Sequence, residues 1–287
     1  MILPLTSRTT SRGLRGRFAV ALVTLLLAIP VVQGCAVLER FTDAEPGSLD
    51  SAPAVEERGA DWPVLPREGG EDGYDDPFEG VNSVFFYING AFDFLVFEPL
   101  ARFYRGFMPT DARHAVSRAF TNLAEPVVAA NHLLQLEGGR AATSLGRFAV
   151  NSTAGAAGLF DVATDLGLEA DDADFGQTLH HYGVGSGPYL VLPFFGPTTV
   201  RDAMGFGVDG LIDPRGYLIT PMTRLQLALG EGVVRREEVI DPVDFLVEYA
   251  LDHYDAVRAW NYQERQRELT GGCTEPIYVT CPGNSPE

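Results

Sequence analysis

Between Val81 and Val96 the apolar residues Val81, Val84, Phe85, Ile88, Phe92, Leu95 and Val96 return every three or four positions, the period of one helical face. Phe86, Phe94 and Phe97 add apolar surface around the remaining circumference, and Asn82, Asn89 and Asp93 form the polar stripe. Such a helix is either a core helix or one that lies in lipid with its polar line turned toward a channel or a protein neighbour. The pattern leaves both open. Further on, Thr110 and Asp111 after Pro109 cap a helix carrying Ala115, Val116, Ala119, Phe120 and Leu123. Pro126 suits the first turn of the next helix, which Gly138 and Gly139 end. Another helix is expected from Arg140 to about Thr153. Asp241-Pro242 opens a long one with Phe245, Leu246, Tyr249, Tyr254, Val257 and Trp260 at helical spacings, and its far end, Gln263 to Glu268, is polar. Alternation is scarce. Tyr189 to Phe195 is the best strand, with Pro188 before it and Pro193 inside it. The expected fold is mostly α, with few or no strands.

The segments before this region have a different character. Arg8, Arg12, Arg15 and Arg17 precede an apolar run from Phe18 to Val32 and small residues ahead of Cys35. The run is about 15 residues, short of the roughly 20 that a bilayer core requires, so residues 1–34 read as a secretory signal. Val32-Gln33-Gly34-Cys35 resembles a lipobox, in which cleavage leaves an acylated Cys35 as the new N-terminus. Acyl chains contribute about 0.8 kcal/mol per buried methylene, so a multiply acylated Cys35 anchors the mature chain. Ala36, not Asp, follows it, which by the enteric sorting rule implies the outer membrane. Residues 35–75 are acidic and rich in Pro, Gly, Ala and Ser, a tether whose coil of about 38 residues would span roughly 35 Å. The folded region is expected at 76–262 and a polar tail at 263–287.

Removal of the signal takes four of the 21 basic residues and none of the 39 acids, so the formal charge moves from −18 to −22. Nucleic acid and anionic lipid surfaces are therefore poor electrostatic partners. Once Cys35 is acylated, Cys273 and Cys281 remain, and an oxidising periplasm permits a disulfide between them worth about 2 to 3 kcal/mol locally; two unpaired thiols are the alternative.

Motifs for chemistry are weak. Gly205, Gly207 and Gly210 spell a dinucleotide fingerprint, but no strand is expected ahead of them. The glycines around Ser186 stand one residue away on each side, not the two of a nucleophile elbow. His180 and His181 are adjacent and cannot chelate as an i, i+4 pair. Asp171, Asp172 and Asp174 fit no calcium loop and read as a solvated acidic turn. No metal or cofactor is called for. What remains is the glycine-rich loop Tyr182 to Pro188 between large apolar groups.

Four blocks, in order after the lipobox, resemble the VacJ/MlaA family: Asp76-Pro77-Phe78-Glu79-Gly80-Val81-Asn82, Arg147 to Thr153, Gly158 to Ala163, and Phe175 to Leu179. The run Tyr182 to Pro197, followed by Arg201-Asp202, is the most specific. Ser83 and Ala119 depart from the family pattern, and the region after Trp260 has no counterpart in it. The resemblance implies a ring-like helical body in the periplasmic leaflet of the outer membrane with an amphipathic channel near its centre. Phospholipid mislocalised to the outer leaflet would pass through it to a soluble periplasmic carrier of an ATP-driven inner-membrane complex, beside a trimeric porin. On this reading Asn82, Asn89 and Asp93 and the loop residues Gly183, Gly185, Gly187 and Pro188 border or gate the lipid path. A scaffold that only tethers other envelope proteins, and a phospholipase using Ser186 with His180 or His181, are the alternatives.

Overall fold

The apolar run that begins the folded region continues well past Val96. In the computed structural model, which describes residues 74–270, α1 (Glu79–Phe92) passes through a π-helical segment (Asp93–Phe97) into α2 (Glu98–Phe107). Pro99 does not stop it, because it falls in the first turn of α2, directly after the π segment has interrupted the regular ladder. The signal, the tether, Cys35, Cys273 and Cys281 lie outside the described residues.

α3 (Thr110–Leu134) is one helix of 25 residues, with Pro126 inside it, not the start of a second. The proline's missing donor is offset by packing, since α4 (Gly138–Thr153) folds back along its length. Gly138 and Gly139 begin α4 and do not end α3; the reversal is made by Leu136, at a positive φ of 65°. The two helices are joined by a buried ion pair. Arg147 Nε donates to Glu125 Oε1 at 2.9 Å, with both side chains about 5% exposed or less. The other guanidinium nitrogens reach Thr164 Oγ1 at 2.9 Å and both Asp161 oxygens at 3.2 Å. Asp161 caps the short α5 (Val162–Asp165) and also accepts Asn151 Nδ2 at 2.9 Å.

α6 (Phe175–His181) is capped by Asp174. The expected strand shortens to β1 (Tyr189–Leu192), since Pro193 opens the turn, and pairs antiparallel with β2 (Gly196–Thr199) in register Tyr189 to Thr199. Thr199 then caps α7 (Val200–Ile212). A strand therefore does precede the glycines at 205, 207 and 210, contrary to expectation, but Gly205 has another use. A Cβ there would stand 2.7 Å from the Gly176 backbone nitrogen, so the glycine lets α6 and α7 touch.

α8 (Arg215–Leu218) and α9 (Pro221–Glu238) follow. The single long helix expected from Asp241 is two, α10 (Ile240–Tyr249) and α11 (His253–Leu269). Asp252 divides them by accepting the amides of Tyr254 and Asp255 as the cap of α11. α11 runs past the expected boundary at 262 because its polar end is used inside the body, where Arg265 is only 11% exposed.

The apolar core is thin. Tyr74, Tyr189, Val191 and Tyr254 form one cluster with Phe85, Phe86 and Tyr262, and Leu246, Ala250 and Ala256 form another with Val257 and Trp260. Many large apolar side chains face outward instead, among them Val81, Val84, Ile88, Phe103, Phe107 and Leu218.

Two outcomes follow. Gly205→Ala should destabilise the detergent-solubilised protein by a few kcal/mol, because α6 and α7 must part. Gly207→Ala, where a Cβ meets nothing within 4 Å, should be neutral or slightly stabilising; equal melting temperatures for the two would refute the contact. Asp161 provides a pH signature. Burial pushes its carboxyl up, but hydrogen bonds from Thr164, Asn151 and Arg147 outweigh this and hold it at about 2, below the ordinary 3.8. Its contribution, about 2 kcal/mol, is full above pH 4 and is lost as pH falls toward 2. Acid unfolding of Asp161→Asn should lack this component.

Candidate functional site

A group of polar side chains, some of them also joining helices, gathers around two adjacent cavities. One, of about 330 Å³, is walled by β2, α7, α9, α11 and the segment before α6, and includes Asp172, Asp209, Arg235 and Arg265. The second, of about 420 Å³, lies between the end of α3, α6 and α11, and includes Glu137, Arg140, His180 and His181. Asp172 and Glu268 line both.

The electrostatics of the walls are uneven. Burial pushes the Asp202 carboxyl up, but bonds from Arg201 and Arg265 outweigh it and hold it low. Arg265 spans Asp174, Asp202 and Glu268 at 2.6 to 2.9 Å. Asp172 is pushed up by its crowded surroundings and then by Asp174, and Asp209 and Glu268 are raised chiefly by burial. Asp172 is solvent-exposed although many atoms surround it, as a residue lining a concavity is. Burial, then Arg201, lowers the His180 imidazole, which stays neutral near pH 7.

The acidic turn read at 171–174 is therefore wall and structure. Asp171 pairs with Arg140 and Asp174 caps α6. Asp209, Glu268, Arg235 and Arg265 were not singled out from the sequence, and Asp172 was read only as part of a solvated turn. A signal existed nearby: Asn122, Glu125 and His132 recur at helical spacing along α3, with Asn131 and Gln135 beside them, and all five are buried. A polar stripe of this kind marks the inner face of a helix.

The residues expected to border a path lie outside these two cavities. Asn82 is 2% exposed; its amide donates to Tyr189 O at 3.0 Å and Asp76 Oδ1 at 2.7 Å, and accepts Val191 N at 2.9 Å. Asn89 repeats this one turn of the hairpin further on, donating to Leu192 O and accepting Phe194 N. Asp93 pairs with Arg236 at 2.8 Å. None of the three lines either cavity; the polar stripe of α1 is a clamp for the hairpin and for α9. Gly183, Gly185, Gly187 and Pro188 form the loop from α6 to β1, with Gly183 and Gly187 at φ of +83° and +69°. The loop is tied to α7 by Arg201 N on Ser186 O and Val200 N on Pro188 O. It too stands off the cavities, although His180 and His181, which lead into it, are in the wall of the larger.

The outer face answers the question the periodicity left open. Over Glu79–Phe107 the most apolar window is only 6% buried, so this is not a core helix, and it is long and apolar enough to cross a membrane. Val81, Val84, Ile88, Phe103 and Phe107 stand exposed along it.

If Asn82 is the clamp, Asn82→Ala leaves Tyr189 O and Val191 N without their side-chain partner, at a cost of about 2 to 3 kcal/mol. Limited proteolysis at the 193–195 turn should accelerate, with Asn82→Asp intermediate because it accepts but cannot donate. Wild-type cleavage rates in Asn82→Ala would remove the clamp.

Residues 74–268 match the family model described as MlaA lipoprotein. The Escherichia coli (strain K12) intermembrane phospholipid transport system lipoprotein MlaA is 34% identical over 210 residues, which is 72% of this chain and 83% of that one. An uncharacterised protein of Rickettsia prowazekii is 34% identical over 195 residues, 68% of this chain and 78% of that one. A solved structure described as the structural basis for maintenance of bacterial outer membrane lipid asymmetry superposes with a TM-score of 0.59 at 33% identity, covering 68% of this chain and 99% of that one. With the helical body, its single hairpin and the matched span in agreement, this chain belongs to the MlaA lipoprotein family.

Proposed function

We propose that this protein removes mislocalised phospholipid from the outer leaflet of the outer membrane and hands it to a periplasmic carrier, as an outer-membrane lipoprotein anchored through Cys35 on the periplasmic side. The observation that carries the reading is the placement of polarity. Large apolar side chains stand exposed along Glu79–Phe107 and at the end of α3, while charged residues gather in the walls of the two cavities. The E. coli relative, named for intermembrane phospholipid transport, supports the same assignment.

The physical task is to move a charged head group without exposing it to hydrocarbon, where an unpaired charge is very costly. Walls of carboxylates and guanidinium groups replace the water it leaves, while the acyl tails stay against the apolar exterior. The helical run from Glu79 to Phe107 has 29 residues and is about 43 Å long, more than a hydrocarbon core of roughly 30 Å. Arg102 and Arg105 near its end pair with Asp244, Asp241 and Glu237. Both features favour a helix lying along the leaflet over one that crosses it. The loop Gly183 to Pro188 acts on the path from beside His180 and His181 without lining the cavities itself, and Asn82, Asn89 and Asp93 act on it by holding the hairpin and α9. A porin neighbour and a carrier of an ATP-driven inner-membrane complex complete the proposal, since nothing in the walls binds an energy source.

Catalysis is not needed for this task. A phospholipase would place Ser186 Oγ beside an imidazole, whereas His180 Nδ1 stands 3.4 Å from the Arg201 guanidinium. The test is outer-leaflet phospholipid in cells lacking the gene, with wild type, Ser186→Ala and Cys35→Ser restored separately. Accumulation reversed by wild type and Ser186→Ala, but not by Cys35→Ser, is expected. No accumulation would point to a scaffold, and rescue by wild type alone would restore the hydrolase.

A further inference from the structure

The two cavities are not charge-balanced. Seven carboxylates line them against four arginines. The arginines are also largely committed: Arg265 to Asp174, Asp202 and Glu268, Arg140 to Asp171 and Glu137, and Arg267 to Glu264. Among the described residues neither Asp172 nor Asp209 makes an ion pair. Asp209 is held by Asn131 Nδ2 at 2.8 Å and the Phe175 amide at 3.1 Å, so its position is set although its charge is not matched. Asp172 is solvent-exposed within the wall that both cavities share.

A second feature points the same way. His132 is fully buried behind the larger cavity, and neither ring nitrogen has a hydrogen-bond partner. Its Nε2 stands 3.4 Å from Asp171 Oδ2 and its Nδ1 3.6 Å from Glu137 Oε2, both lining residues. Burial, then Arg140, lowers the imidazole, so at neutral pH it adds no cation to the wall. The walls thus hold carboxylates beyond those that the committed arginines pair with, and the buried imidazole adds no cation to them. Arg235, 71% exposed, is bound among the described residues only to Glu231 on its own helix and lies in the same wall as Asp172.

We propose that these cavities recognise the primary ammonium of a zwitterionic phospholipid head group, with Asp172 as its main partner, Glu268 and Asp209 beside it, and Arg235 facing the phosphate. This rests on the lipid-path reading and adds a preference to it. A head group that carries phosphate but no cation meets a net negative wall and is disfavoured. An ethanolamine head supplies both charges, and its three N–H donors suit carboxylates that have lone pairs unfilled.

The test uses the full-length acylated protein in mild detergent, equilibrated with vesicles of equimolar phosphatidylethanolamine and phosphatidylglycerol, followed by repurification and quantification of bound lipid. The wild type is expected to hold about five-fold more phosphatidylethanolamine, the worth of a single partly solvated ion pair near 1 kcal/mol. Asp172→Asn, which removes charge from a side chain with no ion-pair partner to orphan, should bring the ratio close to one with an unchanged melting temperature. Arg235→Gln should lower total lipid and leave the ratio high. Equal uptake of both lipids by the wild type, or an unchanged ratio in Asp172→Asn and Glu268→Gln, would overturn the head-group proposal while leaving the path intact. Wild type that takes up neither lipid would overturn the path itself. Soluble phosphoethanolamine binding as tightly as the lipid would reassign the site to a free amine.

Discussion

Charge-assisted hydrogen bonds from arginine hold these helices together, because much of the apolar surface that would ordinarily do so faces outward. Arg147 ties α3, α4 and the turn at Asp161. Arg105 and Arg113 converge on Glu237, joining α2 and α3 to α9. Arg265 joins α11 to α6 and α7 through Asp174 and Asp202. Each guanidinium serves several partners at once, and its planar fork presents five donors in fixed directions where a lysine ammonium presents three on a flexible stem. All 21 basic residues of the chain are arginine, and at these positions the choice has a structural consequence. The cost is rigidity of composition: loss of one partner leaves a buried charge unpaired, which is far more damaging than loss of the pair.

A second chain of dependence runs from the outer helix to the cavities. Asn82 and Asn89 fix the backbone of the hairpin along β1 and its turn. β2 then carries Thr198 into the smaller cavity and Thr199 to the start of α7, where it caps the helix and meets Asp202. Asp202 in turn receives Arg265 from α11. The polar stripe of an outward-facing apolar helix is thus mechanically linked to the wall of the smaller cavity by four consecutive contacts. The π segment begins at Asp93, which pairs with Arg236 of α9 while Asn82 and Asn89 address the hairpin.

The helical class, the amphipathic first helix and the family blocks were legible in the sequence, because periodicity and motif order are local properties. The breaks were not. Pro126 looked like a helix start, yet tertiary packing of α4 on α3 overrode its intrinsic preference, and Asp252 ended a helix inside a stretch whose spacing was continuous. The site was the least legible. Asn82 and Asp93 read as a polar stripe without any indication of what it faced, since the partners Tyr189, Val191 and Arg236 are more than 100 residues away. Asp171 to Asp174 read as solvated because carboxylates usually are; their partners Arg140 and Arg265 come from helices on either side of them in the sequence. Only the buried polar stripe of α3 was visible in the spacing itself.

That stripe also explains how one fold meets two solvents. At the end of α3, Leu133 and Leu134 are exposed while Asn131, His132 and Gln135 are buried, and Leu136 in the following turn is 84% exposed. Within six residues the chain presents leucine to the outside and amide, imidazole and carboxamide to the inside. A helix is about 10 Å across, so head group and acyl chain can be served from opposite sides of a single wall. Molecules with a charged end and a greasy end need that arrangement, and the distance over which polarity changes must match the distance between their two parts. On the proposed lipid-path reading, the change of polarity across the end of α3 puts the boundary between head group and tail beside the larger cavity.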